Sequence, residues 1–324
     1  MTDSPLILAV PSKGRLQENA AAFFARAGLV FSQSRGARDY RGTLKGVPDV
    51  EVLFLSASEI VTQLASGGAH LGITGEDLVR EQIPDADAAV ELLTPLGFGH
   101  ANVVVAVPQA WIDVRSMADL DEVAADLRAR HGRKMRVATK YVNLTRRFFA
   151  QKGVSDYRIV ESLGATEGAP GTGAAELIVD ITTTGATLAA NALKIVEDGV
   201  ILRSEANLVA SARAPWSLRA RAAAQTVLTR IAAEEEARTS REIRAAISPA
   251  RMDEIEALME ETGATLPFGP PPGEELVLHC RASTVFEVVA ALQAMEAHDI
   301  TVRTFDYLFR ATNPLTERLA QRIG

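Results

Sequence analysis

The stretch that decides the expected fold is Ala175-Glu176-Leu177-Ile178-Val179-Asp180-Ile181-Thr182-Thr183-Thr184-Gly185-Ala186-Thr187-Leu188. Residues 177–181 form a short β-branched apolar run, which is typical of a buried strand. Three threonines, a glycine and a fourth threonine follow, and helix-compatible residues begin at Leu188. The pattern therefore predicts a strand, a hydroxyl-lined turn and a helix.

A turn of this kind can hold a phosphate group. It brings together backbone N–H groups, hydroxyl donors and the positive end of a helix dipole. Gly185 lets the backbone approach a ligand closely, and Asp180 at the strand end can bind ribose hydroxyls or a metal-bound water. The alternative is an ordinary turn in which Thr182 or Thr184 caps a helix. The stretch contains neither the Gly-Lys-Ser/Thr of a Walker loop nor the Gly-x-Gly-x-x-Gly of a dinucleotide site.

Composition narrows the class of protein. The chain has 324 residues, 47% of them hydrophobic, and a formal net charge of −7, which argues against a dedicated nucleic-acid binder. Its one cysteine, Cys280, excludes an intrachain disulfide framework. The first residues do not have the pattern of a signal peptide, and no apolar run approaches the ~20 residues of a membrane span. We therefore expect a soluble, cytoplasmic protein without membrane or nucleic-acid partners.

Upstream segments repeat the strand-to-helix pattern. An apolar strand at residues 6–10 is followed by Lys13, Gly14 and Arg15, and a strand at residues 70–74 is followed by Gly75. Alternating strands and helices predict a parallel sheet whose ligands bind beyond the carboxyl ends of the strands. These residues are therefore candidates to bind phosphates, although each segment alone is equally well explained as a solvated turn.

The next two segments continue the same series. Residues 136–149 read as strand, polar turn and helix, with Thr139, Lys140 and Tyr141 in the turn and Asn143 as the expected N-cap. Glu167 lies in an irregular turn, residues 164–170, and can bind sugar hydroxyls or magnesium-bound water. The alternative is that Glu167 is an ordinary surface residue without a binding role.

Together these segments resemble the ATP phosphoribosyltransferase family. The matching motifs are Lys-Gly-Arg-Leu at 13–16, Leu-Gly-Ile-Thr-Gly-Glu-Asp at 71–77, Val-Ala-Thr-Lys-Tyr-Val-Asn-Leu-Thr-Arg at 137–146, Gly-Ala-Thr-Glu-Gly-Ala-Pro at 164–170 and Asp-Ile-Thr-Thr-Thr-Gly-Ala-Thr-Leu at 180–188. Asp180 stands alone, whereas phosphoribosyltransferases that use nucleobases usually carry two adjacent acids there. The chain also departs from the family pattern at three places. An Arg is usual near Ser56, a basic residue often follows the Gly-Phe-Gly segment where this chain has His100, and a proline is usual at the position of Val142.

The resemblance covers residues 6–211 and implies a reaction. ATP and 5-phosphoribosyl 1-diphosphate would give N1-(5-phosphoribosyl)-ATP and diphosphate, the first and feedback-regulated step of L-histidine biosynthesis, with Mg²⁺ required. The implied phosphoribosyl-diphosphate residues are Thr182, Thr183, Thr184, Gly185, Ala186, Thr187 and Glu167. The implied ATP and phosphate residues are Gly14, Gly75, Thr139, Lys140 and Tyr141. The implied catalytic residues are Asp180, Lys13 and Arg15. Asp180 and Glu167 are also implied to bind the metal ion through water.

The expected fold is α/β, with a two-lobed periplasmic-binding-protein-like catalytic core and a C-terminal ferredoxin-like (ACT-like) βαββαβ domain. We expect lobe I at 1–103 and 192–238, lobe II at 104–191 and the regulatory domain at 239–324. Strands at 194–196 and 200–201 are expected to carry the chain back to lobe I. Strands at 265–268 and 300–308 are expected in the last domain, which binds histidine in the family's long form. That form is a homo-oligomer, a hexamer built of dimers.

Two alternatives share these features. A phosphoribosyltransferase that uses a base instead of ATP would have the same loop, but the missing second acid argues against it. A non-catalytic two-lobed small-molecule binding or regulatory paralogue would have the same architecture. The joint presence of the Lys-Gly-Arg, Thr-Lys-Tyr and Asp-Ile-Thr-Thr-Thr-Gly-Ala-Thr segments argues against that protein.

Overall fold

The computed structural model describes residues 4–33, 40–162 and 164–324. These residues form two compact units. The first comprises the chain up to Phe23, Phe31–Arg221 and Gln321–Gly324, and the second comprises Phe24–Val30 and Ala222–Ala320. All the candidate site residues, from Lys13 to Thr187, belong to the first unit.

Strands and helices alternate through most of the chain. The strands are β1 (Leu6–Pro11), β2 (Val30–Gln33), β3 (Arg41–Lys45), β4 (Val50–Leu55), β5 (Leu71–Gly75), β6 (Val90–Pro95), β7 (Asn102–Pro108), β8 (Met135–Thr139), β9 (Tyr157–Glu161), β10 (Leu177–Thr182), β11 (Leu193–Leu202), β12 (Ala206–Ser211), β13 (Ser240–Ala246), β14 (Glu275–Arg281) and β15 (His298–Arg303). The helices are α1 (Gly14–Arg26), α2 (Ala57–Ser66), α3 (Glu76–Gln82), α4 (Ala86–Ala89), α5 (Met117–His131), α6 (Val142–Gln151), α7 (Ala186–Ala190), α8 (Leu218–Thr239), α9 (Met252–Thr262), α10 (Val285–Ala294) and α11 (Pro314–Ile323). Short 3₁₀ turns cover Thr166–Gly168 and Pro249–Arg251.

The first lobe is a seven-stranded sheet in the order β2-β3-β4-β1-β5-β12-β6. Strand β1 is parallel to β4 and β5, whereas β12 is antiparallel to β5 and β6. Leu6 and Leu8 of β1 are fully buried, as expected for a parallel strand that is covered on both faces. Lys13 follows the carboxyl end of β1 and Gly75 is the last residue of β5, so both candidates lie at the edge where ligands bind in such sheets.

The second lobe is a five-stranded sheet in the order β11-β7-β10-β8-β9. Strands β8, β9 and β10 are parallel to one another, and β7 is antiparallel to both β10 and β11. Thr139 at the end of β8 pairs with Val179 of β10 and with Glu161 of β9. The register therefore brings Lys140, Glu161 and Asp180 to one edge of the sheet.

The position of β11 differs from the sequence expectation. Residues 194–196 and 200–201 do not return to the first sheet; they lie within β11, which pairs with β7 through two register shifts. Val196 is buried in the core of the second lobe, and this burial fixes β11 there. The chain returns to the first sheet only at β12.

Two adjacent segments connect the lobes. Residues 96–101 lead from β6 to β7, and residues 203–205 lead from β11 to β12. The segments are bonded to each other, since the Ala101 N–H donates to the Ser204 carbonyl over 2.9 Å and the Ala206 N–H donates to the Phe98 carbonyl over 2.9 Å. The connection between the lobes is thus a hydrogen-bonded pair of segments.

The second unit contains a ferredoxin-like domain. Its sheet has the order β14-β13-β15, and α9 and α10 bury Ile255, Val288 and Leu292 against it. Thr265 forms an isolated antiparallel bridge with His279 of β14, which supplies the second strand of the βαββαβ order in its correct place beside β14.

Two strands of this domain are shorter than the sequence predicts. The expected strand at 265–268 is reduced to the Thr265 bridge, because Pro267 has no N–H to continue a ladder. The expected strand at 300–308 begins earlier and ends at Arg303, where its pairing with Glu242 of β13 also ends. Within the described ranges, no helix is long and apolar enough to cross a lipid bilayer.

Candidate active site

The turn between β10 and α7 carries the predicted phosphate loop. Gly185 has a φ of 78°, a left-handed conformation that glycine adopts without the penalty of a side chain. Its N–H donates to the Thr182 hydroxyl over 2.8 Å, and the Thr183 hydroxyl donates to the His100 carbonyl over 2.9 Å. Thr183, Thr184, Ala186 and Thr187 are exposed, so the outer surface of the turn is accessible to a ligand.

The helix after this turn is shorter than the sequence suggests. Helix α7 ends at Ala190 after five residues, and Asn191 donates its side-chain amide to the Thr187 carbonyl over 2.9 Å. A helix of this length has only a small dipole. Binding of a phosphate here would therefore depend on threonine hydroxyls and backbone N–H groups more than on the helix.

Asp180 is half-buried at the end of β10. Burial raises the pKa of its carboxyl above the ordinary value, and the nearby negative charge of Glu167 raises it further. The Ile181 N–H, which donates to Oδ1 over 2.8 Å, and the positive charge of Lys140 oppose this pKa shift. The structure thus brings Asp180, Glu167 and Lys140 close enough to interact electrostatically.

The turn between β8 and α6 divides into buried and exposed parts. Thr139 and Tyr141 are buried; the Thr139 hydroxyl accepts the Tyr141 N–H over 2.8 Å. The Tyr141 hydroxyl donates to Oδ2 of Asp77 over 2.7 Å, and burial followed by the Asp77 charge raises the tyrosine pKa. Lys140 is exposed, with its ammonium 5.2 Å from the centre of the Tyr141 ring. Only Lys140 of these three presents a side chain to solvent.

Helix α6 is not capped as the sequence predicts. The helix begins at Val142, so Asn143 lies inside its first turn. The Glu81 carboxylate of α3 accepts the N–H groups of Asn143 and Leu144, each over 2.9 Å. This cap comes from another lobe, so local sequence reasoning missed it; the only signal was that Glu81 is one helical turn after Asp77 of the Gly-Glu-Asp motif.

The β1–α1 turn exposes two cations. Lys13 and Arg15 are exposed on either side of Gly14, whose φ of 71° again suits glycine. A side chain on Gly99 of the inter-lobe segment would lie 3.3 Å from Leu16. The two cations therefore lie beside the connection between the lobes.

Gly75 supports the site from the first lobe. A Cβ atom at this position would lie 2.2 Å from Oδ1 of Asp77, so only glycine leaves room for that carboxylate. The Ser204 hydroxyl donates to the same oxygen over 3.0 Å. Asp77 and Ser204 thus lie beside a candidate site residue, and sequence reasoning did not select them.

At Ser56 the chain departs from the expected motif and caps a helix instead. Ser56 and Glu59 form a capping box at the start of α2, with distances of 2.8 and 3.3 Å. This reciprocal arrangement satisfies two N–H groups of the helix. The segment therefore has a clear structural role without the basic residue that the family usually has there.

The acidic residues near the turn allow only a limited metal site. Among residues 4–33, 40–162 and 164–324, no group of three or more His, Cys, Asp or Glu side chains is arranged to hold a metal ion. Asp180 and Glu167 remain as a nearby pair of carboxylates. Such a pair fits a divalent ion that keeps several waters and is bound jointly by the protein and substrate phosphates.

Comparison with known proteins agrees with this geometry. A family model described as ATP phosphoribosyltransferase matches residues 56–233. The chain is 58% identical over 322 residues to the ATP phosphoribosyltransferase of Afipia carboxidovorans, covering 99% of both chains. It is also 58% identical over 320 residues to the enzyme of that name from Nitrobacter winogradskyi, covering 98% of both chains.

A solved structure resembles the fold. The ATP phosphoribosyl transferase (HisG:HisZ) complex from Thermotoga maritima contains a chain that is 27% identical, with a TM-score of 0.53. The match covers 95% of that chain and 70% of this one. Since both the family model and full-length relatives match, this chain belongs to the ATP phosphoribosyltransferase family.

Proposed function

We propose that this chain transfers the 5-phosphoribosyl group of 5-phosphoribosyl 1-diphosphate to N1 of the adenine of ATP, releasing diphosphate, as the first step of histidine biosynthesis. The observation that supports this most directly is the shared edge of the second sheet. There the register of β8 and β10 brings Lys140 and Asp180 together, next to the exposed threonine turn. This arrangement occurs in a member of the family that has this activity by name.

The threonine turn is the proposed site for the 5-phosphate. The residues assigned to it are Thr182, Thr183, Thr184, Gly185, Ala186 and Thr187. The exposed side chains of Thr183, Thr184 and Thr187 support this role, as does the close backbone approach that the left-handed Gly185 allows. Asp180 and Glu167 would bind the ribose hydroxyls.

Exposed cations are the proposed contacts for the diphosphate and for the phosphates of ATP. Lys13, Arg15 and Lys140 are all exposed. Gly14 lies between Lys13 and Arg15, and its backbone freedom lets both side chains approach a phosphate. Thr139, Tyr141 and Gly75 were candidates for direct phosphate contact. The burial of Thr139 and Tyr141 and their hydrogen bonds within the protein, and the close approach of Gly75 to Asp77, support a different role, in which they hold Lys140 and Asp77 in place.

Catalysis would then consist mainly of positioning and charge stabilisation. Attack by adenine N1 at C1′ passes through a state with positive charge on the ribose and increasing negative charge on the departing diphosphate. Holding two anionic substrates in line removes most of the entropic barrier. Fixed cations that face the leaving group stabilise the developing charge. Since N1 is itself the nucleophile, no protein base is needed.

A divalent metal ion belongs with this chemistry, and we assign it as Mg²⁺. Asp180 and Glu167 would hold it through water while the substrate supplies phosphate oxygens. Bound there, the ion would neutralise part of the charge of the diphosphate. The protein's own contribution is the pair of carboxylates; burial, followed by the negative charge of Glu167, raises the pKa of Asp180.

The remaining assignments concern regulation and assembly. We place L-histidine as a feedback inhibitor that binds the ferredoxin-like domain, and we expect a homo-oligomer, either a dimer or a hexamer. We divide the chain into lobe I at 1–103 and 192–238 without β11, lobe II at 104–191 together with β11, and a regulatory domain at 239–324, because β11 pairs with β7 of the second lobe. Analytical ultracentrifugation with and without histidine tests the assembly.

The activity itself is tested by the absorbance of phosphoribosyl-ATP. Purified chain is mixed with ATP, 5-phosphoribosyl 1-diphosphate, Mg²⁺ and pyrophosphatase, with and without histidine. Product formation that histidine suppresses is the expected result. Product that is insensitive to histidine would remove the regulatory assignment alone. Absence of product, both with the chain alone and with an added partner subunit, would overturn the proposed reaction and favour a binding protein.

A further inference from the structure

Helix α3 contacts both lobes. It follows β5 of the first sheet, yet its Leu78 packs against the buried cluster around Val79 and Ile60 as well as against the second-lobe cluster around Phe149. One short helix is thus part of two cores. Any change in the angle between the lobes must disturb its contacts.

Several polar contacts of α3 are made with α6. The Glu81 carboxylate accepts two N–H groups in the first turn of α6, at Asn143 and Leu144, each over 2.9 Å. The Asn143 side-chain amide donates back to the Glu81 carbonyl over 3.0 Å. One turn further along, an Arg147 guanidinium N–H donates to the Arg80 carbonyl. Four hydrogen bonds therefore join the two helices.

A second contact lies at the other end of α3. Asp77 is 5% exposed and accepts the Tyr141 hydroxyl over 2.7 Å and the Ser204 hydroxyl over 3.0 Å. Tyr141 belongs to the second lobe, and Ser204 to the segment that joins the lobes. The connection and both lobes therefore meet at this carboxylate.

From these contacts we infer that Glu81 is a positioning residue for the reaction, an inference that rests on the proposed function. Its carboxylate caps α6 across the lobes and so holds the turn with Lys140 at a fixed place relative to Gly75 and Lys13. It also occupies the N-terminus of α6, which would otherwise attract an anion. Substrate phosphates are thereby directed to the threonine turn.

The kinetic consequence follows from the fraction of molecules in which the lobes are arranged to bind both substrates. If the contacts between α3 and α6 keep the lobes in the arrangement that binds both substrates, losing the cap lowers the fraction of molecules in that arrangement. Apparent affinity falls by the same fraction, whereas turnover of the saturated enzyme is unaffected. Removing a cap of this kind shifts a local equilibrium roughly threefold to thirtyfold. A purely structural cap would lower thermal stability and leave the KM values unchanged.

The test compares Glu81→Ala and Glu81→Gln with wild type and with Ser116→Ala. Ser116 caps α5 inside the second lobe, in a capping box with Asp119, so its loss removes a comparable cap without affecting the contact between lobes. For Glu81→Ala we expect the KM values of ATP and 5-phosphoribosyl 1-diphosphate to rise about threefold to thirtyfold. The kcat should stay within about twofold of wild type. The KM values of Glu81→Gln, which keeps one acceptor oxygen, should lie between those of wild type and Glu81→Ala. Ser116→Ala should leave both KM values unchanged.

Hydrogen exchange provides a readout that is independent of activity. The Asn143 and Leu144 amide groups should exchange faster in Glu81→Ala than in wild type or in Ser116→Ala. Unchanged exchange would show that the cap does not exist in solution. Unchanged KM values, or equal changes in Ser116→Ala, would overturn the positioning role. If wild type forms no product, the proposed reaction fails, while the exchange measurement still decides whether Glu81 caps α6.

Discussion

Asp180 is the residue on which the proposed chemistry depends most. Its carboxylate would bind the ribose and the metal at the point where the leaving group departs. We expect Asp180→Asn to lower kcat/KM on the order of 10²-fold, the effect of losing one electrostatic contact to a transition state. The thermal midpoint should change little. The matched control is Asp126→Asn, since Asp126 is an exposed helix residue that pairs with Arg130. Equal activity of wild type and Asp180→Asn would exclude this role.

The same residue predicts a pH dependence. Burial and Glu167 raise the pKa of Asp180, whereas Lys140 lowers it. If catalysis needs the ionised carboxylate, kcat/KM must fall as pH decreases through a value above the ordinary 3.8. Removing the positive charge in Lys140→Gln raises that pKa further, so the acidic limb of the pH profile should move to higher pH.

Comparison of the pH profiles of wild type and Lys140→Gln separates the titration of Asp180 from that of the substrates. The kcat/KM profile reports the free enzyme and the free substrates, and the phosphates of the free substrates titrate identically with wild type and variant, so a difference between the two profiles reports on the enzyme. Lys134→Gln is the control, because Lys134 is an exposed lysine at the opposite end of β8. An acidic limb that stays in place in Lys140→Gln would contradict the electrostatic link between Lys140 and Asp180.

At the scale of elements, the pairing of β8 with β10 is fixed by an ion pair at the end away from the site. Glu176, just before β10, accepts the Arg136 N–H over 2.6 Å and the Arg136 guanidinium over 2.7 Å, and Arg133 adds a further contact of 2.9 Å. Burial alone would raise the pKa of Glu176, but the hydrogen bonds from Arg136 and Arg133 outweigh burial and lower it to about 2. The ionised carboxylate thus stabilises the register that brings Lys140 to Asp180.

We expect Glu176→Gln to lower the free energy of unfolding by about 2 kcal/mol at pH 7, a value reduced from the full pKa shift because both arginines are partly solvated. The contribution is fully present above the ordinary pKa of 4.5 and is lost as pH falls toward 2. Urea unfolding of wild type and variant at pH 7 and pH 3 measures this directly. The difference between them should shrink at pH 3; a constant difference would show that the charge contributes nothing.

Elements whose signal is local could be predicted from the sequence, and those that depend on distant partners could not. The apolar runs of β8 and β10 and the glycine of the threonine turn were sufficient to place the sheet edge. The cap of α6 was predicted at Asn143 and is wrong, because Glu81 approaches from another lobe. Strand β11 was assigned to the wrong sheet, since its place depends on distant contacts, the pairing with β7 and the burial of Leu193 and Val196. The roles of the individual site residues stay predictions.

At the scale of the whole molecule, each unit contains a buried histidine. In the first unit, Nδ1 of His70 accepts the Ile7 N–H over 3.0 Å and Nε2 donates to the Pro215 carbonyl over 3.3 Å. In the second, neither ring nitrogen of His279 has a hydrogen-bond partner among the described residues, and the ring packs edge-on against Phe305. Burial lowers the pKa of both histidines below 6.5.

Acidification should therefore destabilise both units. Below pH 6.5 the unfolded chain takes up a proton at each histidine while the folded chain does not, so stability falls with decreasing pH until the folded pKa is reached. His279→Phe keeps an aromatic ring and removes the titration. Hydrogen exchange of the β13–β14 amide groups at pH 7 and pH 5.5, corrected for the intrinsic rate, should show a smaller loss of stability in His279→Phe than in wild type. His298→Gln, at an exposed position, should behave as wild type; equal losses in all three would contradict the assignment.

The order of the strands of the two lobes along the chain has a consequence for biosynthesis of the protein. Gly72 of β5 pairs with Val209 of β12, and a ribosome must produce every strand of the second lobe between these two residues. The nascent first lobe therefore presents an open strand edge while the second lobe, contiguous in the chain from β7 to β11, already has all its partners. Such edges attract other chains during synthesis. Chaperones should accordingly engage nascent chains that end before β12 and release those that extend beyond it.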